Sequence, residues 1–355
     1  MTTHSPISTK FSHGYALLIG VDQSVHPRLA LPVVTNDVAA MAAVLTDPQV
    51  CAYPREQVDI VSGEAVTRDG IFAALDRLRT RLQADRSGNA TAVVYYSGHG
   101  WRRQRGDASE YYLIPHDVDV ARPHRTTLSA REFANEIEAL TPRRLLVLLD
   151  CCHAHGMGAK DPGLSGDVSS PFPIGLLRDV ADASPVEFDD GKSLSSLREG
   201  QGRAILSSSR GDERSFYFPD ERMSVFTHHL IEALIGHAPT STGQHEVLVS
   251  DILGYLPRQV PRTVRDAYQR EQNPEFTASG NFPVAMLLGG KGLAPNQAPP
   301  ERRTIVSEAT ARYKIGDVSG QAQVGDGNIQ TGDVRANGNV AIGRDITMIS
   351  RRGTE

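Results

Sequence analysis

The stretch Arg143–Gly156, RRLLVLLDCCHAHG, constrains the fold more than any other part of the chain. Leu145 to Leu149 is an unbroken apolar run, closed by Asp150. It is too short for a helix by itself and suits a strand buried on both faces. An acid, two thiols and a histidine crowd in directly after it, followed by glycines. Reactive residues at the carboxyl end of a buried strand stand where an open α/β sheet usually carries its chemistry. A second run of the same kind, Ala92 to Tyr96 (AVVYY), ends in Ser97-Gly98-His99-Gly100. The two strands need only be neighbours for His99 to reach Cys152.

The rest of the chain supplies the layers that such strands require. Tyr15 to Val21 (YALLIGV) reads as a first buried strand, followed by a loop with two prolines. A helix is predicted from Thr35-Asn36-Asp37 to about Leu45, with Asn36 or Asp37 able to cap it. Val58 to Val61 reads as a short strand. Thr67 to about Gln83 carries Ile71, Phe72, Leu75, Leu78 and Leu82 at helical spacing. After AVVYYSGHG come a basic loop, Trp101 to Arg105, and a short strand at Tyr111 to Ile114. Ser129 opens a helix to Leu140, with Glu132 three residues on as in a capping box. Asp161 to Gly202 is rich in Gly, Pro, Ser and Asp and has little periodicity; a loop of that length is functional or disordered. Ala204 to Ser208 then reads as a strand, Val225 to Leu234 and Leu248 to Val260 as helices, and Phe282 to Leu288 as a last strand. Strands alternating with helices argue for a mainly parallel sheet covered on both faces.

Composition narrows the function classes. The chain has 355 residues and a formal net charge of −5, so nothing suggests a nucleic-acid surface. No apolar run approaches the roughly 20 residues of a membrane span, and no signal-peptide core opens the chain. Three cysteines, two of them adjacent, cannot form a disulfide framework, and a reducing cytoplasm fits them best.

A cysteine protease needs a thiolate nucleophile, an imidazole to relay its proton, and backbone donors for the oxyanion. Cys152 and His99 supply the first two. The N–H of Cys152 and one near Gly100, where glycine allows close approach, could supply the third. The bland alternative makes Cys151 and Cys152 small buried hydrophobes and His99 one surface histidine among 12. Both residues, however, follow buried strands and have glycine close by. Zinc on Cys151, Cys152, His153 and His155 is disfavoured, because adjacent cysteines rarely present both sulfurs to one ion and no second ligand pair follows.

At these residues the sequence resembles the caspase and metacaspase clan of cysteine peptidases, in its prokaryotic form. YYSGHG followed about 50 residues later by LLDCCHAHG is nearer the metacaspase pattern than that of animal caspases. The likeness runs over roughly residues 10 to 289 and implies a three-layer αβα sandwich, with Cys152 as nucleophile and Cys151 where serine often stands. It further implies a primary pocket formed by Asp37 and Asp150, with Ser97 on its wall, selecting Arg or Lys in a protein substrate. Two carboxylates in one cleft favour a cationic side chain through charge-assisted hydrogen bonds; the alternative is that Asp37 caps its helix and Asp150 anchors a strand end. Animal caspases select aspartate with arginines, and Arg210 or Arg214 could be read that way. No metal or cofactor is expected. Asp117 and Asp119 remain from the calcium-binding segment of metacaspases, but the aspartate pair expected after it is missing, which puts calcium activation in doubt. The 161–202 segment stands where caspases carry an inter-subunit linker, and it holds Arg178, Lys192 and Arg198, which the proposed pocket would accept.

The layout implied is a peptidase domain over 1–289, a proline-rich linker over 290–312, and a Gly/Asn-rich, β-prone tail over 313–355. Within the tail, Gln323 to Gln330 (QVGDGNIQ) resembles the core of RHIM-related amyloid signalling motifs, and Asn339 to Met348 resembles a second copy. Short apolar residues separated by Gly, Asn and Asp suit stacked β-arcs. Such a tail implies self-assembly, or a partner with a matching motif such as an NLR-like sensor or a pore-forming effector. The combination resembles prokaryotic immune and cell-death effectors. The expected function is therefore an endopeptidase cutting after Arg or Lys and recruited through its tail. The rivals are a catalytically silent scaffold of the same fold and a protease preferring Asp at P1.

Overall fold

The computed structural model describes residues 11–48, 50–105, 108–151, 198–210, 213–238 and 246–286, with the backbone of short strands at 167–168, 322–325 and 328–331. One six-stranded sheet organises these blocks. In chain order its strands are β1 (Gly14–Gly20), β2 (Val58–Ser62), β3 (Thr91–Gly98), β7 (Arg144–Cys151), β10 (Gly202–Ser207) and β12 (Glu275–Ala278). Their spatial order is β12-β10-β7-β3-β1-β2. All neighbours pair parallel except β12, which runs antiparallel to β10 at the edge.

The alternation of side chains along buried strands divides the core in two. Ala16, Leu18, Val93, Tyr95, Leu146 and Leu148 face one side with α1 (Val34–Thr46), α5 (Val225–Glu232) and α6 (Val249–Tyr268). Leu17, Ile19, Val94, Tyr96, Val147 and Leu149 face the other with α2 (Arg68–Ala84) and α4 (Ala130–Glu138). The result is the three-layer αβα sandwich with a mostly parallel sheet, as the sequence predicts. The Ser129 capping box forms: its hydroxyl accepts from Glu132 N at 3.2 Å while Glu132 accepts from Ser129 N at 2.9 Å.

Several elements differ from the reading of the sequence. Helix α1 starts at Val34 with Val33 at its N-cap and no side-chain cap, so neither Asn36 nor Asp37 caps it. The basic stretch 101–105 is not a loop. It belongs to β4 (Gly100–Arg105), which pairs with β5 (Ala108–Leu113), and the stacking of Trp101 on Tyr112 at 4.8 Å holds the hairpin. Beside β5 lie a short helix α3 (Pro123–Thr126) and β6 (Leu128–Ser129). The 161–202 segment is not wholly irregular: β8 (Asp167–Val168) pairs with β4, and β9 (Arg198–Glu199) pairs with β13 (Gly280–Asn281). The last predicted strand is only β14 (Pro283–Met286), paired with β11 (Glu246–Leu248) outside the main sheet. The edge strand β12 escapes the sequence because it is four residues long and follows the polar run Glu271 to Pro274. In the tail, β15 (Ala322–Gly325) and β16 (Asn328–Thr331) form an antiparallel hairpin across the first motif copy; the second copy lies outside the described residues.

Close backbone approach near β13 leads to a stability expectation. A Cβ on Gly280 would lie 1.8 Å from the Gln201 carbonyl oxygen, and Gly202 beside it has φ of 124°. Backbone cannot swing away as a side chain can. Gly280→Ala should therefore destabilise the fold by about 2–4 kcal/mol. Gly254→Ala, within α6 with nothing inside 4 Å of the added methyl, should stabilise it by about 0.5–1 kcal/mol. Chemical denaturation of both variants checks the contrast, and equal effects would refute it.

Candidate active site

The two motif-bearing strands are direct neighbours. β3 and β7 pair in parallel with Ser97 opposite Asp150 and Gly98 opposite Cys151. His99 follows at once on β3, buried at 1% exposure, where the chain leaves the sheet for the β4–β5 hairpin. Its backbone carbonyl is fixed from two sides, accepting from Tyr96 Oη at 2.9 Å and from Ile114 N at 3.0 Å. Cys151 packs among apolar side chains of the α2/α4 layer, as a small hydrophobe does. Cys152, the next residue on β7's path, lies outside the described residues. Gly100 opens β4 opposite Leu113.

On the opposite face of the same strand ends is a buried pair of acids. Asp37, in the first turn of α1, is fully buried, and its carboxylate accepts from Ser97 Oγ at 3.2 Å and Ser224 N at 2.9 Å. Asp150, also fully buried, accepts from Ser215 Oγ at 3.2 Å and Thr227 Oγ1 at 2.8 Å. Behind them, Tyr95 and Thr227 hydroxyls lie 2.6 Å apart. Gln272 braces Ser215, donating to its Oγ at 3.0 Å and to the Ser208 carbonyl at 2.9 Å, while its Oε1 accepts from Phe216 N. The structure thus brings Asp37, Ser97 and Asp150 together, and Asp37 bonds Ser97 and Ser224 instead of capping α1.

Electrostatics sets Asp37 apart. Burial, joined by the nearby charge of Asp150, pushes its carboxyl well above the usual carboxylate range, against the hydrogen bonds from Ser224 and Ser97. An acid whose main charged influence is another acid is poised to receive a cation or keep a proton.

The other candidate residues fall elsewhere. Asp117 accepts from Arg68 N at 3.0 Å at the start of α2. Asp119 accepts from Arg122 Nε at 2.9 Å and from Ala121 N, and the Arg122 bond chiefly draws its carboxyl down. Arg210 and Arg214 are exposed after β10. Arg178 and Lys192 lie outside the described residues, whereas the Arg198 backbone pairs with Gly280. Sequence reasoning missed Ser215, Ser224, Thr227 and Gln272. Only Ser224 left a signal, as the N-cap of α5 accepting from Thr227 N at 3.4 Å. Small hydroxyl residues in connecting segments otherwise look like ordinary loop.

The buried acid pair predicts a stability that depends on pH. Because the folded state holds the Asp37 proton above the ordinary carboxylate pKa of about 4, wild-type stability is lost as pH rises beyond that value. Asp37→Asn removes the effect. It should be more stable than wild type at pH 8 by about 1–2 kcal/mol, with the gap closing toward pH 4. Denaturant melts across that pH range measure it; a gap that widens on acidification would contradict the assignment.

Comparison with known proteins places this geometry in a family. No curated protein matches the chain. Among solved structures, caspase-1 from Spodoptera frugiperda is 11% identical, with a TM-score of 0.43 over 77% of this chain and 90% of that one. Its pro-form is 13% identical, with a TM-score of 0.41 over 80% and 98% of the two chains. The Drosophila initiator caspase Dronc is 10% identical, with a TM-score of 0.46 over 78% and 84%. The caspase domain matches residues 13–283, from the start of β1 to β14. The chain therefore belongs to the caspase domain family of cysteine peptidases.

Proposed function

We propose that the protein is a cysteine endopeptidase that cuts after Arg or Lys. The observation that carries this reading is the buried pair Asp37 and Asp150, each held by hydroxyl or amide donors, beside the strand end that bears His99. A guanidinium or ammonium entering between the two acids would replace an unfavourable like-charge pair with charge-assisted hydrogen bonds. A P1 aspartate would add a third carboxylate to the same space.

In the proposed reaction His99 takes the proton of the Cys152 thiol, and the thiolate attacks the scissile carbonyl to form a carbon–sulfur bond. Backbone N–H groups at Cys152 and near Gly100 stabilise the oxyanion. The imidazolium returns its proton to the departing amine as the C–N bond breaks. Water, deprotonated by His99, then hydrolyses the thioester and regenerates the thiol. Recruitment through the RHIM-like tail, to copies of itself or to a partner carrying a matching motif, would make the enzyme an effector of prokaryotic immunity or regulated cell death. The QVGDGNIQ motif and its hairpin support that part of the reading.

Peptides differing only at P1 test the proposal. Cys152→Ala and His99→Ala should each abolish cleavage, while Cys151→Ser keeps much of it. Asp37→Ala and Asp150→Ala should each slow cleavage after Arg more than tenfold, equivalent to about 1.5–3 kcal/mol of lost charge-assisted bonding. A wild-type preference for P1 Asp would refute the pocket and favour Arg210 or Arg214. An inert wild type would favour the scaffold.

Self-cleavage is the second expectation. When copies are concentrated, mass spectrometry should find new ends after Arg178 or Lys192 that are absent from Cys152→Ala. Arg198 should be cut later, because its backbone is paired in β9 and must detach to enter a protease. An intact segment in an enzyme that turns over peptides would exclude activation by self-cleavage.

A further inference from the structure

Helix α5 carries a second cluster that the proteolytic reading leaves unused. His228, His229 and Glu232, within the sequence HHLIE, are all buried. Glu232 stands three and four residues after the two histidines, the spacings that bring helical side chains together. Its Oε2 lies 2.6 Å from His229 Nδ1, and its Oε1 lies 3.3 Å from His228 Nε2. One ligand atom from each residue falls within 4.8 Å of the others. Helix α6 and the segment before α5 enclose the group. His229 Nε2 is 2.7 Å from Thr263 Oγ1, Tyr255 Oη donates to Glu232 Oε2 at 3.0 Å, and Phe218 meets the His228 ring edge-on at 4.8 Å.

Two imidazole nitrogens facing one carboxylate need something positive between them. In the bare protein a proton on each facing nitrogen serves. The same donors, however, are those of a zinc-class site, in which nitrogens and carboxylate oxygens bind at about 2.0–2.2 Å. Around a tetrahedral ion at such distances neighbouring donors stand about 3.3 Å apart; His228 meets Oε1 at 3.3 Å and His229 meets Oε2 at 2.6 Å, so the two rings need only small shifts to share an ion held by the carboxylate. The surroundings fit as well. With an ion on Nδ1, His229 keeps its proton on Nε2 and donates it to Thr263, the outer hydrogen bond typical of metal-bound histidine. Tyr255 holds the carboxylate in the same manner. Two imidazoles also argue against calcium or magnesium, which take oxygen.

We propose that His228, His229 and Glu232 form a binding site for one divalent transition-metal ion of the zinc class, with Thr263 and Tyr255 as positioning residues, so that the ion ties α5 to α6. The fourth position is left for water. Its donors are not the Cys151, Cys152, His153 and His155 weighed from the sequence, and the proposal stands independently of the proteolytic reading.

The test uses the full-length chain, titrated with cobalt(II) alone and followed by equilibrium dialysis and visible absorption. One ion per chain should bind, with ligand-field bands of nitrogen and oxygen donors, no thiolate charge-transfer band, and no change in Cys152→Ala. Zinc(II) should displace it and, at one hundredfold excess over Kd, raise the melting temperature by about 5 °C or more. Glu232→Gln and His229→Gln should each weaken binding at least tenfold, and Thr263→Val should weaken it while leaving every ligand in place. Failure to retain cobalt, a thiolate band, or undiminished binding in Glu232→Gln and His229→Gln would overturn the proposal. If the ligand variants do not fold, the wild-type spectrum and the Thr263→Val titration decide it.

Discussion

Two carboxylates from distant parts of the chain, Asp37 and Asp150, share a space from which water is excluded, and four elements are arranged to keep them there. Ion hydration is lost at both residues, and like charges repel more strongly in a medium of low dielectric than in water. The compensation is local. Ser97 from β3, Ser224 from the start of α5, Ser215 from the segment before it and Thr227 within it each donate to one of the four carboxylate oxygens. Remove any one and a buried charge loses a donor. The acids thus help to fix α5 against α1 and the sheet, through Ser224 to Asp37 and Thr227 to Asp150, beside its apolar packing.

A buried like-charge pair is costly to a fold and is tolerated where the cost serves a site. Here the same donors that stabilise the carboxylates also fix their orientation. The two acids are themselves placed by a helix start and a strand end, Asp37 in the first turn of α1 and Asp150 on β7. The flanking His99 shares that rigidity, since its carbonyl is bonded to Tyr96 and Ile114 before any substrate arrives. In the proposed enzyme, reaction geometry and substrate selection would then depend on one register, Ser97 with Asp150 and Gly98 with Cys151.

How much of this could be read from the sequence depended on burial. AVVYY and LLVLL announced themselves because strands covered on both faces must be continuously apolar, and their polar ends marked the site. Asp37 stood out through the resemblance, yet its local context also suits a cap; its contacts with residues 97 and 224 are ones that no local pattern encodes. β4 was illegible because WRRQR is charged, and only the Trp101–Tyr112 stack shows why it pairs. β12 is short and preceded by polar residues, so the edge of the sheet left little trace. Gln272, which braces Ser215 and Ser208, lies in a run that reads as ordinary linker.

The site is assembled from both sides of the segment between β7 and β10, and this has a physical consequence. Asp37, Ser97, His99 and Asp150 precede that segment, whereas Ser215, Ser224, Thr227 and Gln272 follow it. β10 joins β7 through a six-residue parallel register, Gly202 with Arg144 through Ser207 with Leu149, and the ladder continues in the bond from Ser208 N to the Leu149 carbonyl. Apolar residues of β10 and α5 lie in the same core as those of β1, β3 and α1. Cohesion between the two parts therefore comes from the sheet, the core and the carboxylate donors, none of which requires an unbroken chain between residues 152 and 197. A cut there would free the ends of the segment while leaving the acid pocket's donors in place, because every one of them is held by an element that stays paired or buried. If the proposed self-cleavage takes place, this arrangement would let the segment be cut while Asp37, Asp150 and their donors keep their places.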